Sequence, residues 1–253
     1  MSKPILSVSK LTKSYPEVGE TVKGISFEVQ KGEVFGILGP NGAGKTTTLE
    51  MIEGLRSITS GTATLNGIDV AKFPYKIKEL IGIQLQSSSF FEKLSLVELL
   101  KLFNDLYAQH SDPYELLKEV GLTEKAKSRV SELSGGQKQR FSVAVTLVNN
   151  PIAIFLDEPT TGLDPQARRN LWDLIQDIQK RGTTVIMTTH YMEEAQLLCD
   201  RIAIMEDGKI IALDTPEALI QNLIKSGFKP KTKVEAANLE DVYIDLTGKG
   251  LRD

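Results

Sequence analysis

Residues 34–46 read VFGILGPNGAGKT and join an unbroken apolar run to a glycine-rich loop. The loop fits the pattern G-x-x-x-x-G-K-[ST], in which glycines allow successive backbone N–H groups to converge on an anion at the start of a helix. In this pattern the Lys45 ammonium reaches the β- and γ-phosphates of a nucleotide, and the Thr46 hydroxyl ligates magnesium. The residues predicted to bind phosphate are Gly39, Pro40, Asn41, Gly42, Ala43, Gly44, Lys45, Thr46 and Thr47.

A second apolar run, residues 152–156, is followed at once by two carboxylates, Asp157 and Glu158. A buried strand would deliver both to its C-terminal edge, where α/β sheets bind ligands. There Asp157 can hold the water shell of a magnesium ion, and Glu158 can polarise the attacking water as a general base. An acidic pair at the end of a strand is more often a solvated turn, so this prediction depends on the glycine-rich loop.

The strand patterns change along the chain. Residues 5–35 read as short strands in which apolar and polar side chains alternate, as a sheet with one solvated face requires. The runs 34–38, 152–156 and 185–187 are unbroken, which is typical of parallel strands covered on both faces. Helical periodicity follows each of these runs. We therefore predict an α/β fold with a P-loop NTPase core, a mixed sheet with helices, and an N-terminal antiparallel β subdomain.

The strand signal is absent between about residues 87 and 134. Ser95 and Glu98 form a capping box, which predicts the start of a helix. A second helix is predicted to begin at Asp112 and Pro113 and to end near Gly121. We predict an α-helical subdomain inserted here. The apolar face predicted for its first helix comprises Leu96, Leu99, Leu100, Phe103, Leu106 and Tyr107.

The predicted nucleotide-binding domain spans residues 1–225, and residues 226–253 form a C-terminal tail. The tail is expected to contain a short amphipathic helix, because apolar residues recur there at helical spacing. Those residues are Leu239, Val242, Tyr243 and Leu246.

Composition limits the classes of protein that remain. The chain has 253 residues, 41% of them hydrophobic, with 30 basic and 33 acidic side chains. This near-neutral balance gives no reason to expect binding to nucleic acid. No apolar run approaches the roughly 18 residues of a membrane span, and we find no secretory signal. The one cysteine, Cys199, is expected to be a buried small side chain, and the chain is expected to be cytosolic.

A second anion-binding nest is predicted at Ser134, Gly135, Gly136 and Gln137, which follow Leu133 at the start of a helix. With this pentapeptide the sequence resembles the nucleotide-binding subunits of ABC transporters, in which it is the signature motif. The resemblance covers nearly the whole chain, and its motifs come in the family's order.

The resemblance implies roles for further residues. Tyr15 would stack on adenine, and His190 would be the switch histidine that contacts the γ-phosphate. Gln86 would be the Q-loop glutamine that senses magnesium and the γ-phosphate, although Gln84 is close enough to leave that choice open. Asp164, with Gly162 and Leu163 before it, would lie in the D-loop. The implied catalytic residues are Glu158, His190 and Gln86, and the implied metal ligands are Thr46, Gln86 and Asp157.

The resemblance also implies cofactors and partners. ATP and Mg²⁺ would bind between two subunits paired head to tail. The second subunit would be another copy of this chain or a homologous chain. The helical insertion would dock on a separate multi-span permease at the cytoplasmic face of the membrane. Phe90 and Phe91 precede this insertion, and the exposed one of the pair is expected to contact the permease.

Two readings of the function remain open from the sequence. Residues 239–248 resemble the tail of exporter-type subunits for drugs, lipids, antibiotics or sodium, which favours an exporter. The alternative is a soluble non-transport ATPase with the same cassette, which would share every catalytic residue. A guanine-nucleotide switch is disfavoured because the chain has no Asn/Thr-Lys-x-Asp base-reading motif.

Overall fold

The computed structural model describes residues 3–85, 90–228, 242 and 245–246. In this part of the chain the strands are β1 Leu6–Tyr15, β2 Gly19–Val29, β3 Val34–Leu38, β4 Ser60–Leu65, β5 Ile68–Asp69, β6 Ile81–Gln84, β7 Ala153–Asp157, β8 Thr184–Thr189, β9 Arg201–Glu206 and β10 Lys209–Asp214. The α-helices are α1 Lys45–Ile52, α2 Pro74–Leu80, α3 Leu96–Tyr107, α4 Pro113–Glu119, α5 Gly135–Thr146, α6 Pro165–Lys180, α7 Met192–Leu198 and α8 Pro216–Lys225.

A mixed six-stranded sheet forms the centre of the fold, in the order β10-β9-β3-β8-β7-β6. Its strands run parallel except for β10, which pairs antiparallel with β9 at the edge. Alternate residues of β3 enter different cores: Val34 and Leu38 join one apolar cluster, and Phe35 and Ile37 join the other. Both faces of the strand are therefore buried, which explains the unbroken apolar run and confirms the predicted fold class.

The face of this sheet that carries Phe35 and Ile37 packs against an antiparallel sheet in the order β2-β1-β4-β5. Ile25, Phe27 and Val29 point inward from β2, and the Phe27 ring stacks on Phe35 with 5.0 Å between centroids. Strands β1 and β2 have 10 and 11 residues, longer than the short strands predicted. Register shifts in β1, near a Lys10 with φ of 46°, interrupt the alternation that the sequence pattern relies on.

The face that carries Val34 and Leu38 is covered by helices, including those of the predicted insertion. The capping box of Ser95 and Glu98 is present at the start of α3, and the Asp112 side chain caps α4. The apolar face predicted for α3 is wrong in its last turn, where the side chains of Leu106 and Tyr107 are exposed.

The buried position in that last turn belongs to Asn104. Its amide donates a hydrogen bond of 2.7 Å to the carbonyl of Ser111, and this bond holds the loop that leads to α4. A polar residue is therefore the buried one in this turn, because a loop carbonyl needs a donor there.

Several elements were not predicted: α2, β6 and α8. The predicted tail helix falls mostly outside the described residues, as Leu239 and Tyr243 do. Val242 is helical and buried against the helical core, whereas Leu246 is exposed. In the described part of the chain, no helix combines the length and the apolar character needed to cross a membrane.

Close backbone approaches fix how the layers pack. A Cβ at Gly36 of β3 would lie 2.6 Å from Sγ of Cys199, which is buried as predicted. A Cβ at Gly82 of β6 would collide with the backbone carbonyl of Thr146 in α5. These contacts leave no room for a methyl group, so the close packing of the sheet against its neighbours requires glycine at both positions.

We expect Gly82→Ala to lower the free energy of unfolding by about 1–3 kcal/mol, because α5 has to move away from β6. Gly135→Ala is the matched control, since a Cβ at Gly135 meets open space. Denaturant titration of both variants measures the difference. Equal stability of the two would contradict the packing described.

Candidate nucleotide site

The glycine-rich loop connects β3 to α1, as predicted. Gly42 and Gly44 have φ values of 84° and 97°, a region that L-residues rarely adopt. A Cβ at Gly44 would also lie 2.8 Å from the carbonyl oxygen of Thr21. The loop therefore requires glycine for both its backbone conformation and its contact with β2.

Lys45 begins α1 and is almost completely buried. Its Nζ donates hydrogen bonds to the carbonyls of Gly39 (2.9 Å) and Pro40 (3.0 Å). The same atom lies 3.1 Å from Oε1 of Glu158. The ammonium is thus held inside the loop, facing a carboxylate delivered by a neighbouring part of the sheet.

Thr46 and Asp157 form a second contact between the loop and β7. The Thr46 hydroxyl donates to Oδ2 of Asp157 at 2.9 Å, and the Thr188 hydroxyl donates to Oδ1. A hydroxyl and a carboxylate side by side are the oxygen ligands that Mg²⁺ prefers. The donor set therefore fits this metal.

Glu158 follows β7 with a φ of 48°, and its N–H donates to the Thr188 hydroxyl at 2.9 Å. Burial acts to raise the pKa of this carboxyl, but the charge of Lys45 and the neighbouring His190 lower it below its usual value. Its Oε2 lies 3.2 Å from Nδ1 of His190, which follows β8. The side chain is consequently ionised and lies between a lysine and a histidine.

Tyr15 ends β1, and its hydroxyl accepts a hydrogen bond of 2.7 Å from Arg56 Nη1. The Arg56 Nε lies 2.5 Å from Oε2 of Glu50 on α1. Lys13 Nζ lies 5.1 Å from the centre of the Tyr15 ring. The aromatic ring predicted to stack on adenine is therefore attached, through Arg56, to the helix that begins with Lys45.

The signature residues lie at the start of α5, and their polar contacts among the described residues stay within that helix. Ser134 and Gln137 form a reciprocal capping box. Gly135 is exposed, and a Cβ at Gly136 would lie 2.7 Å from the Cβ of Ala167. In the described part of the chain these residues make no hydrogen bond to the glycine-rich loop.

Two further predicted residues stand differently. Asp164 caps α6 by accepting from the N–H groups of Gln166 and Ala167, so its carboxylate has a local role in this chain. Gln86 lies outside the described residues. Gln84 ends β6 with its side chain buried, beside Leu156 of β7, and the choice between the two glutamines stays open.

Sequence reasoning missed Thr188, Arg56 and Glu50. Thr188 was detectable, because it is the first polar residue after the apolar run 185–187 of β8. Arg56 and Glu50 carry no such signal, since charged residues in and after a helix are common and Tyr15, which Arg56 contacts, is remote in sequence.

Together, the glycine-rich loop, the Lys45–Glu158 ion pair and the Thr46–Asp157 contact define a P-loop nucleoside triphosphatase.

Comparisons with known proteins identify the family. The ABC transporter family model matches residues 22–161. The linearmycin resistance ATP-binding protein of Bacillus subtilis is 41% identical, over 87% of this chain and 72% of that protein. The Nod factor export ATP-binding protein I of Burkholderia lata is 37% identical, over 92% and 93%. The chain belongs to the ABC transporter family, as one of its ATP-binding and ATP-hydrolysing subunits.

Solved structures agree. An ATP-binding subunit of an ABC transporter matches with a TM-score of 0.81 and 27% identity, over 96% of this chain and 99% of that one. A dimeric ATP-binding cassette in a post-hydrolysis state, bound to ADP and Pi, matches with a TM-score of 0.74 and 28% identity, over 83% and 98%. Relatives named as export ATP-binding proteins favour the transporter reading over the soluble alternative.

One buried carboxyl beside the site has a testable pH dependence. Burial, Asp157 and Glu50 raise the pKa of Glu53 from 4.5 to about 8. Between these values the folded chain holds a proton that the unfolded chain has lost, so stability falls as pH rises. We expect Glu53→Gln to remove this fall. The free energy of unfolding of Glu53→Gln, relative to that of wild type, should therefore increase between about pH 5 and pH 8.

Denaturant titrations at several pH values measure this difference. Glu17→Gln is the control, because Glu17 is exposed in the turn between β1 and β2. A stability difference between Glu53→Gln and wild type that is the same at pH 5 and pH 8 would contradict the assignment.

Proposed function

We propose that the chain binds Mg²⁺-ATP at residues 39–47 and hydrolyses it to power export through a separate membrane permease. The observation that carries the nucleotide assignment is the contact of both loop side chains with both carboxylates: Lys45 with Glu158, and Thr46 with Asp157. When bound, the magnesium ion neutralises charge on the β- and γ-phosphates.

The ion pair of Lys45 and Glu158 suggests how the site begins hydrolysis. Phosphate oxygens offer the Lys45 ammonium a stronger partner than one carboxylate, so ATP draws Nζ away from Oε1 of Glu158. Lys45 is the larger of the two influences that lower the pKa of Glu158, so its departure lets burial raise that pKa toward the value of an effective general base. Glu158 then accepts the proton of the attacking water, and His190 faces the same carboxylate and the γ-phosphate.

A second subunit completes the site in this proposal. Ser134, Gly135, Gly136 and Gln137 make no polar contact with the glycine-rich loop in the described residues, so they are available to a nucleotide on another chain. We infer a head-to-tail pair with a second copy or a homologous subunit, with adenine on Tyr15 and Asp164 near the shared interface. The dimeric cassette bound to ADP and Pi, which this chain resembles, supports this arrangement.

The permease is proposed to dock beside the helical insertion, at the cytoplasmic face of the membrane. Phe90 packs edge-on against Phe141, with 5.2 Å between ring centroids, whereas Phe91 is 67% exposed. An exposed aromatic ring is a typical anchor in protein interfaces. Phe91 is therefore the member of the pair that we expect to contact a multi-span permease. The relatives whose names include export, for Nod factor and for fluoroquinolones, support an export role.

Glu158→Gln tests the chemistry. We expect turnover to fall about 10²- to 10⁴-fold, because the amide cannot accept the proton. ATP should still bind, and an ATP-bound dimer should accumulate in light scattering. Lys45→Ala is the contrasting variant, which should remain folded but lose ATP binding and stay monomeric. Wild-type turnover in Glu158→Gln, or a monomer at saturating Mg²⁺-ATP, would contradict the proposal.

Phe91→Ala tests the docking surface. We expect the basal ATPase and the thermal stability of the isolated subunit to be unchanged, while the yield of the permease complex and transport in proteoliposomes fall. Phe90→Ala is the matched variant, which should lower stability by removing the contact with Phe141. Normal complex yield and normal transport with Phe91→Ala would exclude Phe91 from the docking surface.

A further inference from the structure

The first turns of α6 lie against the signature motif of the same chain. A Cβ placed on Gly136 would be only 2.7 Å from the Cβ of Ala167, so these two residues are in direct contact. Asp164 fixes the start of the helix by capping the N–H groups of Gln166 and Ala167. A shift of the signature glycine toward α6 therefore has to move the helix.

The next residue of α6, Arg168, contacts the segment that carries His190. The Arg168 guanidinium lies over the Tyr191 ring, with 4.6 Å from Cζ to the ring centroid. The Tyr191 ring is in turn 4.1 Å from the ring of His190, measured between centroids. A positive charge over an aromatic face is an attractive and directional contact, so Arg168 orients Tyr191, and Tyr191 packs against the histidine.

A buried hydrogen bond anchors this contact. Trp172 lies one turn beyond Arg168, and its Nε1 donates to Oε1 of Glu194 at 3.0 Å. Both side chains are buried, and Glu194 lies on α7, which follows Tyr191. Because a buried carboxyl group needs its hydrogen-bond partners, α6 and the start of α7 are held together as one unit.

We propose that α6 is a rigid link between the signature motif and His190 of the same chain, with Arg168 and Tyr191 as positioning residues. The inference rests on the head-to-tail pair proposed above. In that pair the signature motif of a chain faces one nucleotide and its His190 faces the other. Each chain therefore connects the two nucleotides through Gly136, Ala167, Arg168, Tyr191 and His190.

The first experiment compares ATPase kinetics of purified variants. Arg168→Met and Tyr191→Leu are expected to lower kcat about tenfold, with KM for ATP changed by less than about twofold. Tyr191→Phe keeps the ring and should therefore have the kcat of wild type. Arg169→Met is the matched control, because Arg169 is the exposed neighbour on α6. Unchanged kcat in Arg168→Met, or equal losses in Tyr191→Phe and Tyr191→Leu, would overturn the positioning roles.

The second experiment separates a link from a local effect. Mixed dimers are formed in which one chain carries Glu158→Gln, so only the other chain hydrolyses, and a single turnover is followed by rapid quench. Arg168→Met should slow that turnover when placed in either chain, because each chain contributes to the hydrolysing site. Slowing only from the hydrolysing chain would show a local role and overturn the link.

The same experiment distinguishes this inference from the proposed function. If the mixture with Glu158→Gln forms no ATP-bound dimer, the head-to-tail proposal fails and the link fails with it. If the dimer forms and hydrolyses normally with Arg168→Met in either chain, the link alone is overturned.

Discussion

The ion pair between Lys45 and Glu158 joins two loops that are remote in sequence and close together at one edge of the sheet. It can form because β3 and β7 run parallel on either side of β8, so both strands end at one edge. The geometry of the edge is fixed by apolar packing on both faces of the strands, which tolerates little sliding. Charge placement in the site is thus a consequence of how the core is packed.

The same edge brings together groups with opposite demands on solvent. The Asp157 oxygens accept from two threonine hydroxyls, and the buried Glu158 carboxylate is compensated by a lysine and a histidine. For Glu158, the lysine and the histidine offset the effect of burial on its pKa. Uncompensated, such burial would favour the neutral acid. Glu53 shows this alternative, since it lies nearby without a cationic partner in the described residues and its pKa is raised to about 8. Glu158 and Glu53 therefore carry different charge at neutral pH.

Sequence patterns were sufficient where a local rule determines the structure. The loop around Lys45, the strand that ends in Asp157, and the cap at Ser95 each follow from a spacing that has few alternatives. Where the determinant is non-local, the patterns failed. Periodicity could not show that Asn104 would be the buried residue in the last turn of α3, because the carbonyl it binds belongs to a loop. The connection of Tyr15 to α1 through Arg56 likewise depends on a register between β1 and the chain after α1.

The contact between Gly36 and Cys199 has a practical consequence. The single thiol of the protein is sealed against a strand of the central sheet, and burial raises its pKa well above the usual value. Thiolate is the reactive form of cysteine, so maleimides and disulfide reagents have neither access nor a nucleophile while the sheet is intact. Alkylation of Cys199 would report opening of the nucleotide-binding core itself, and a cysteine introduced at the surface could be labelled selectively without removing the natural one.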